Sequence, residues 1–346
     1  MAPSDLAPRR LVPDLMVHPL GVSTGTSRWA PNAVPPDDAR MLVGLRRALE
    51  AGCAGGGALL FDTADCYRDG HAERLVGKVL REQRGHSAQA ASKVGRIHGS
   101  APHPYAGPRV RHQLEQTLEN LYLDELALYT LESWDFGPND RYLDPVIEQM
   151  RALRDLGQIR AIGLRGPGYR SSARSIRRFL DLFDRICPDV VWTQANGLLP
   201  LADLEHEDLG AFTARHDVGL VIASPLAHGA LAGGRADRAL AAWGGTADAE
   251  AMASSVALGL AELAGRFGPS PEELARVALR FILQQVPNAV VVAGVGDHQR
   301  AGHNLRFLGQ PLSDHELAVI DGVFSRIRTV MIQSEEGHAP SVEVNV

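Results

Sequence analysis

The 346-residue sequence predicts a single α/β domain, a (β/α)8 TIM barrel in which eight parallel strands are each followed by a helix. Three observations predict it. Short apolar, β-branched runs alternate with longer segments of helical period along most of the chain. The chain is long enough for one closed barrel, whose usual size is about 250 residues and often more. The glycine-rich phosphate turn of an open, doubly wound sheet is missing, because Gly55-Gly56-Gly57 precedes a strand and opens no helix.

The elements follow in order. A hairpin is expected at 10–12 and 15–17, turning at Pro13-Asp14, with the first barrel strand at 19–23. The other strands are expected at 59–62, 88–93, 126–131, 161–164, 190–194, 220–223 and 289–293. Helices are expected between them at 36–51, 72–84, 108–121, 144–156, 171–186, 204–216 and 271–285. Residues 227–270, rich in Ala and Gly, interrupt the rhythm and read as an elaborated loop after strand seven, with a helix at 249–267. Past Arg328 the tail reads as poorly packed or draped over the barrel mouth.

Composition narrows the class. At 45% hydrophobic and 22% charged, the chain suits a globular protein with a full core. A net charge of −6 gives no attraction to nucleic acid or an anionic membrane. No apolar run approaches the roughly 20 residues of a membrane span, and residues 1–10 lack the core of a signal peptide. Cys53, Cys66 and Cys187 are too scattered for a metal site and read as reduced thiols of a cytoplasmic protein. The chain has 33 arginines but only two lysines, Lys78 and Lys93. Lys78 reads as helix surface, whereas Lys93 ends a buried strand. Either Lys93 survives by chance, or the site needs a compact ammonium that arginine cannot supply.

Functional residues of such a barrel sit at the C-terminal ends of its strands. Asp62 ends the second strand, Tyr67 follows in the next loop, Lys93 ends the third strand and Glu132 the fourth. Alone, Asp62 could cap a helix and Tyr67 could be a packed aromatic. Together they have a mechanistic logic: the carboxylate holds the ammonium, and the ammonium lowers the phenol's pKa from about 10 so that it exchanges a proton with substrate.

Several motifs then occur in one order. Phe61-Asp62-Thr63-Ala64-Asp65-Cys66-Tyr67, followed by Gly70 and Glu73, resembles the aldo-keto reductase signature around its catalytic aspartate and tyrosine. Ala91-Ser92-Lys93-Val94-Gly95 resembles the segment carrying that family's lysine, and Gly157 to Gly163 its entry into strand five. Ser224-Pro225-Leu226-Ala227-His228-Gly229 resembles the strand-seven end under the cofactor pyrophosphate, and 291–304 the last cofactor loop. The resemblance implies carbonyl reduction by NADP(H) without a metal, with Tyr67 as proton donor. It implies cofactor contacts at Gln194, Ser224, Pro225, Leu226, Arg300 and Asn304, while the loops and strand ends at the mouth offer Trp29, Trp134 and Arg165 as substrate contacts.

Two departures stand out. Glu132 occupies the place of the family's histidine, as in steroid 5β-reductases, which reduce a carbon–carbon bond conjugated to a carbonyl. A neutral glutamic acid could donate to an enone oxygen, an ionised one would oppose phenolate formation, and a third reading is a salt bridge to a loop arginine. Leu164-Arg165-Gly166 replaces the Ser-Asn that holds the nicotinamide carboxamide, and a guanidinium cannot accept the amide's N–H groups. Arg300 reads either as a bidentate partner for a 2′-phosphate, favouring NADP, or as an exposed helix arginine. Three functions are therefore carried forward. They are a reductase of carbonyls or enones, a non-redox lyase, dehydratase or isomerase using Tyr67, Lys93 and Glu132, and a non-catalytic subunit like the potassium-channel β-subunits. Substrate identity and oligomeric state are not legible.

Overall fold

The computed structural model describes residues 6–25, 37–53, 57–82, 87–234, 249–295 and 308–336. A two-stranded antiparallel hairpin, β1 (Arg9–Val12) and β2 (Leu15–Val17), precedes the barrel. The barrel strands are β3 (Leu20–Ser23), β4 (Leu59–Asp62), β5 (Ala88–Val94), β6 (Leu126–Leu131), β7 (Ile159–Arg165), β8 (Val190–Gln194), β9 (Gly219–Ala223) and β10 (Ala289–Gly294). They pair in parallel in chain order, and β10 closes the ring by pairing with both β9 and β3. The expected (β/α)8 TIM barrel with its N-terminal hairpin is therefore present.

The connecting helices are α1 (Asp38–Cys53), α2 (His71–Glu82), α3 (Arg109–Leu121), α4 (Leu143–Asp155), α5 (Ala173–Ile186) and α6 (Leu209–Arg215). After β9 come α7 (Ala249–Phe267) and α8 (Pro271–Gln285), and after β10 comes α9 (Asp314–Glu336). Local chemistry sets several starts. Ser270 accepts from the Glu273 N–H at 3.1 Å, with Pro271 in the first turn where its missing donor costs nothing. Asp208 accepts from the Ala211 N–H at 2.9 Å, so α6 begins five residues later than the periodic pattern, which starts at Leu204.

Two apolar layers divide the strand residues by parity. Leu60, Ala91, Leu128, Ala161, Trp192 and Val221 fill the barrel interior, joined from below by Leu11, Val12, Leu15 and Val17 of the hairpin. Phe61, Ala90, Tyr129, Leu131 and Ile162 face the helices. The hairpin is the plug of the N-terminal end. Arg9 donates to the carbonyl oxygens of Val286 at 3.0 Å and Leu283 at 2.7 Å, and the Leu11 carbonyl fills the space beside Gly219 that a side chain would need.

The tail past Arg328 continues as packed helix, which corrects the first of its two readings, and residues 337–346 lie outside the described residues. The final helix runs on to Glu336, and Met331 is completely buried against a cluster that includes Met252, Val256, Leu263 and Phe324. The run from Asp314 is polar enough to hide its apolar stripe, whose partner α7 is an insertion distant in sequence. This helix braces the mouth, because Arg328 donates to the Gly197 carbonyl at 2.6 Å in the loop after β8. Among the described residues, no helix is long and apolar enough to cross a membrane.

Candidate active site

Strand parity places the site. Continuing each interior row by one or two steps of two residues brings Asp62, Lys93, Glu132, Arg165 and Gln194 to the C-terminal mouth. The Lys93 ammonium donates to Asp62 Oδ1 at 2.7 Å and to the Thr63 carbonyl at 2.6 Å, and both charged side chains are buried. Asp62 also accepts from Ser23 Oγ at 2.9 Å and from the Trp192 indole N–H at 3.1 Å. Lys93 Nζ lies 5.0 Å from the ring centroids of both Tyr67 and Trp192. Burial disfavours its ammonium, but the charges of Asp62, Tyr67 and Glu132 outweigh this and hold its pKa above the ordinary value.

The Tyr67 phenol does not behave as the sequence suggested. Burial raises its pKa more than the Lys93 charge lowers it, and Asp62 and Glu132 push the same way as burial. The hydroxyl is therefore protonated at neutral pH, a proton donor rather than a poised phenolate. Gly25 leaves room for the ring, since a Cβ there would stand 3.1 Å from the phenol oxygen.

Glu132 is 7% exposed and sits between Arg165 at the end of β7 and Arg96 in the loop after β5. Its Oε1 lies 3.8 Å from Arg96 Nε and 3.8 Å from Arg165 Nη1, and its Oε2 lies 3.8 Å from the Cys66 thiol. The loop that carries Arg96 is pinned below. Gly95, at φ +120°, makes way for the Tyr105 hydroxyl, which donates to the Ser133 carbonyl at 3.0 Å and accepts from the Ser133 N–H at 3.1 Å.

Trp134 is committed to structure, since its indole N–H donates to the Arg165 carbonyl at 2.8 Å and its ring packs near Phe179. Tyr105 and Phe136, in the loops after β5 and β6, are buried and stacked at 4.9 Å. Gln194 is exposed at the end of β8. Ser224 turns the chain at φ +60° after β9, with Pro225 buried and Leu226 half-buried behind it. Trp29, Arg300 and Asn304 lie outside the described residues.

The motif for the aldo/keto reductase family matches residues 20–324. The chain belongs to this family. Among curated relatives, L-galactose dehydrogenase of Arabidopsis thaliana is 27% identical over 51% of this chain and 53% of its own length. The chain thus matches about half the length of that relative. Among solved structures, a glycerol dehydrogenase of Gluconobacter oxydans superposes with TM-score 0.71 at 21% identity, covering 94% of this chain and 96% of the other. An aldo/keto reductase of Klebsiella pneumoniae in complex with NADP and acetate gives 0.64 at 20% identity, covering 92% and 95%.

Three participants in the site of this aldo/keto reductase escaped the sequence reading. Ser23 and Trp192 bond Asp62, and the strand-end position of Ser23 was the available signal for one of them. Asp65, inside the signature itself, is the third. It is 1% exposed, and neither carboxyl oxygen has a hydrogen-bond partner. Burial, with the charges of Glu73 and Glu132 adding, pushes its pKa up to about 7. Unfolded, it would ionise near 3.8, so between these values the folded state binds more protons and stability falls as pH rises. The loss is on the order of 4 kcal/mol and is complete above pH ~7. In Asp65→Asn this component is absent, so the variant should gain on wild type between pH 4 and 7 and hold a constant advantage above. Urea unfolding of both proteins at pH 5 and pH 8 checks it, and an identical difference at the two values removes Asp65 from the account.

Proposed function

We propose that this protein is an NADP(H)-dependent oxidoreductase that reduces a carbonyl, or a carbon–carbon bond conjugated to one, in a small molecule. The observation that carries the reading is the closed Asp62–Lys93 pair at 2.7 Å lying 5.0 Å from the Tyr67 ring at the strand ends. Family membership and the dehydrogenase names of the relatives support it.

The residues at the mouth fit a nicotinamide nucleotide. Gln194, exposed and without a hydrogen-bond partner among the described residues, offers an amide that both donates and accepts. Gln194 would hold the carboxamide, the Ser224-Pro225-Leu226 turn the pyrophosphate, and Arg300 and Asn304 the adenosine end. When bound, the nucleotide supplies the hydride. Tyr67 donates its proton to the substrate oxygen, and the Lys93 ammonium, held by Asp62 and the Thr63 carbonyl, stabilises the charge left on the phenol oxygen. The tyrosine is reprotonated from water.

NADPH should bind more tightly than NADH, and Arg300→Ala should remove most of the difference. One charge-assisted contact to the 2′-phosphate contributes about 1.5–3 kcal/mol. Nucleotide fluorescence titration measures both affinities. If neither nucleotide binds at about millimolar concentration, which allows only roughly 4 kcal/mol, the redox reading fails. A lyase, dehydratase or isomerase then takes its place, a reading favoured by Arg165, whose donor-only side chain stands where the family has Ser-Asn.

Glu132 decides the substrate type. Lacking the family's imidazole, wild type should turn over simple aldoses poorly, and Glu132→His should gain aldehyde reduction while losing activity on enones. Assays of wild type, Glu132→His, Glu132→Gln and Glu132→Ala with both substrate classes check this. Equal aldehyde turnover in all four would leave Glu132 as an ion-pair partner alone.

A further inference from the structure

We propose that the substrate carries an oxyanion of its own, a carboxylate or a phosphate, which Arg96 and Arg165 hold beside Tyr67. The inference rests on the proposed reaction only in placing the reacting carbonyl or enone at the Tyr67 hydroxyl.

The two guanidinium groups converge from either side of β6. Arg165 ends β7, Arg96 follows β5, and both face the same oxygen of Glu132. At 3.8 Å these are ion pairs without hydrogen bonds, since an N–H donor needs an acceptor within about 3.2 Å. Neither guanidinium donates a hydrogen bond to any described residue. Each carries five N–H donors, so a large donor capacity surrounds one distant oxygen.

The placement is costly unless a ligand completes it. Arg165 is only 26% exposed, and a half-buried guanidinium without hydrogen bonds loses hydration that nothing replaces. Arg96 is 37% exposed and brings a like charge to the same carboxylate. Around Tyr67, three cationic side chains (Lys93, Arg96, Arg165) meet two carboxylates (Asp62, Glu132), and Lys93 and Asp62 are already committed to each other. One positive charge is left over, in the part of the mouth where a reacting molecule must lie.

The pair is also held in place. The Arg165 guanidinium lies over the Trp192 ring at 6.0 Å, and its backbone carbonyl is fixed by Trp134. The Arg96 loop is held at Val94 by the Tyr105 hydroxyl, which lies 3.3 Å from its carbonyl, and at Ile97 by Arg109, which donates to the Ile97 carbonyl at 3.3 Å. Rigid planar forks of this kind recognise carboxylate and phosphate by paired hydrogen bonds. A neutral carbonyl compound would use Tyr67 and leave both forks unsatisfied.

Tryptophan fluorescence of the full chain reads the site, because Trp192 lies under Arg165. Titration with benzoate, inorganic phosphate and the neutral isostere benzamide should show one oxyanion binding at least tenfold tighter than benzamide. The tighter of the two names the anion. The advantage should fall tenfold or more in Arg96→Met and in Arg165→Met, and persist in Arg46→Met, a surface control paired with Glu82. Should Arg165→Met fail to fold, Arg96→Met, at the more exposed position, decides. Equal binding of benzoate, phosphate and benzamide, or oxyanion binding unchanged in Arg96→Met, overturns the inference. A second arm compares 4-carboxybenzaldehyde with methyl 4-formylbenzoate as substrates with NADPH. Equal kcat/KM for the two overturns the inference and keeps the reductase reading. Arginine-dependent oxyanion binding with neither these aldehydes nor their enone counterparts reduced keeps the inference and removes the reductase reading.

Discussion

Tyr67→Phe is expected to lower turnover by about 10²-fold or more while leaving folding and nucleotide affinity near those of wild type. The phenol at the mouth is placed to give a proton directly. Burial keeps it protonated at neutral pH, and Lys93 stands by to stabilise the charge that its loss creates. The substitution should be structurally quiet, because the hydroxyl makes no hydrogen bond to a described residue and its removal strands no buried partner. Steady-state kinetics together with nucleotide titration separate the two effects. Turnover within a few-fold of wild type would assign proton donation to another group, and lost nucleotide binding would mean that the hydroxyl serves cofactor binding.

Lys93→Arg should cost about as much, despite preserving the charge. The ammonium fits a pocket bounded by Asp62, the Thr63 carbonyl and the faces of Tyr67 and Trp192, and it is 1% exposed. A planar, wider guanidinium cannot keep two bonds near 2.7 Å there without displacing Tyr67. A displacement of about 1 Å at the reacting group lowers rate by about 10²-fold. Lys78→Arg, on the helix surface, should be silent in the same assay. Lys93→Met asks a different question, since it leaves the Asp62 carboxylate buried without its counter-charge. Ser23 and Trp192 still donate to that carboxylate, so the loss of stability should lie near 3 kcal/mol, the lower end for breaking a buried pair. Urea unfolding measures it. Equal activity of the Lys93→Arg and Lys78→Arg proteins would make Lys93 incidental to the chemistry.

The sequence by itself determined the barrel and the identity of its central pair. Alternation of period-two strands with period-3.6 helices is a local property, and strands such as Leu59–Asp62, Leu126–Leu131 and Val190–Gln194 are bounded where the pattern bounds them. Asp62 and Lys93 were legible because the last inward position of a barrel strand faces the mouth whatever the loops do. Tertiary structure decided the rest. The packing of α9 was hidden because its apolar stripe is matched only by α7, some fifty residues earlier and brought alongside by the fold. Tyr67 read as a phenol eased by an ammonium, yet its pKa follows the depth of its burial, which no residue pattern encodes. Trp134 read as a substrate contact, and became a support for Arg165 once strands β6 and β7 set its partner. Asp65 carries no sequence mark of its orphaned oxygens, because whether a carboxyl finds a partner depends on the elements packed around it. The meeting of Arg96 and Arg165 on Glu132 has the same origin. Residues 96, 132 and 165 are far apart in sequence, and parallel pairing of β5, β6 and β7 alone brings their side chains to one point.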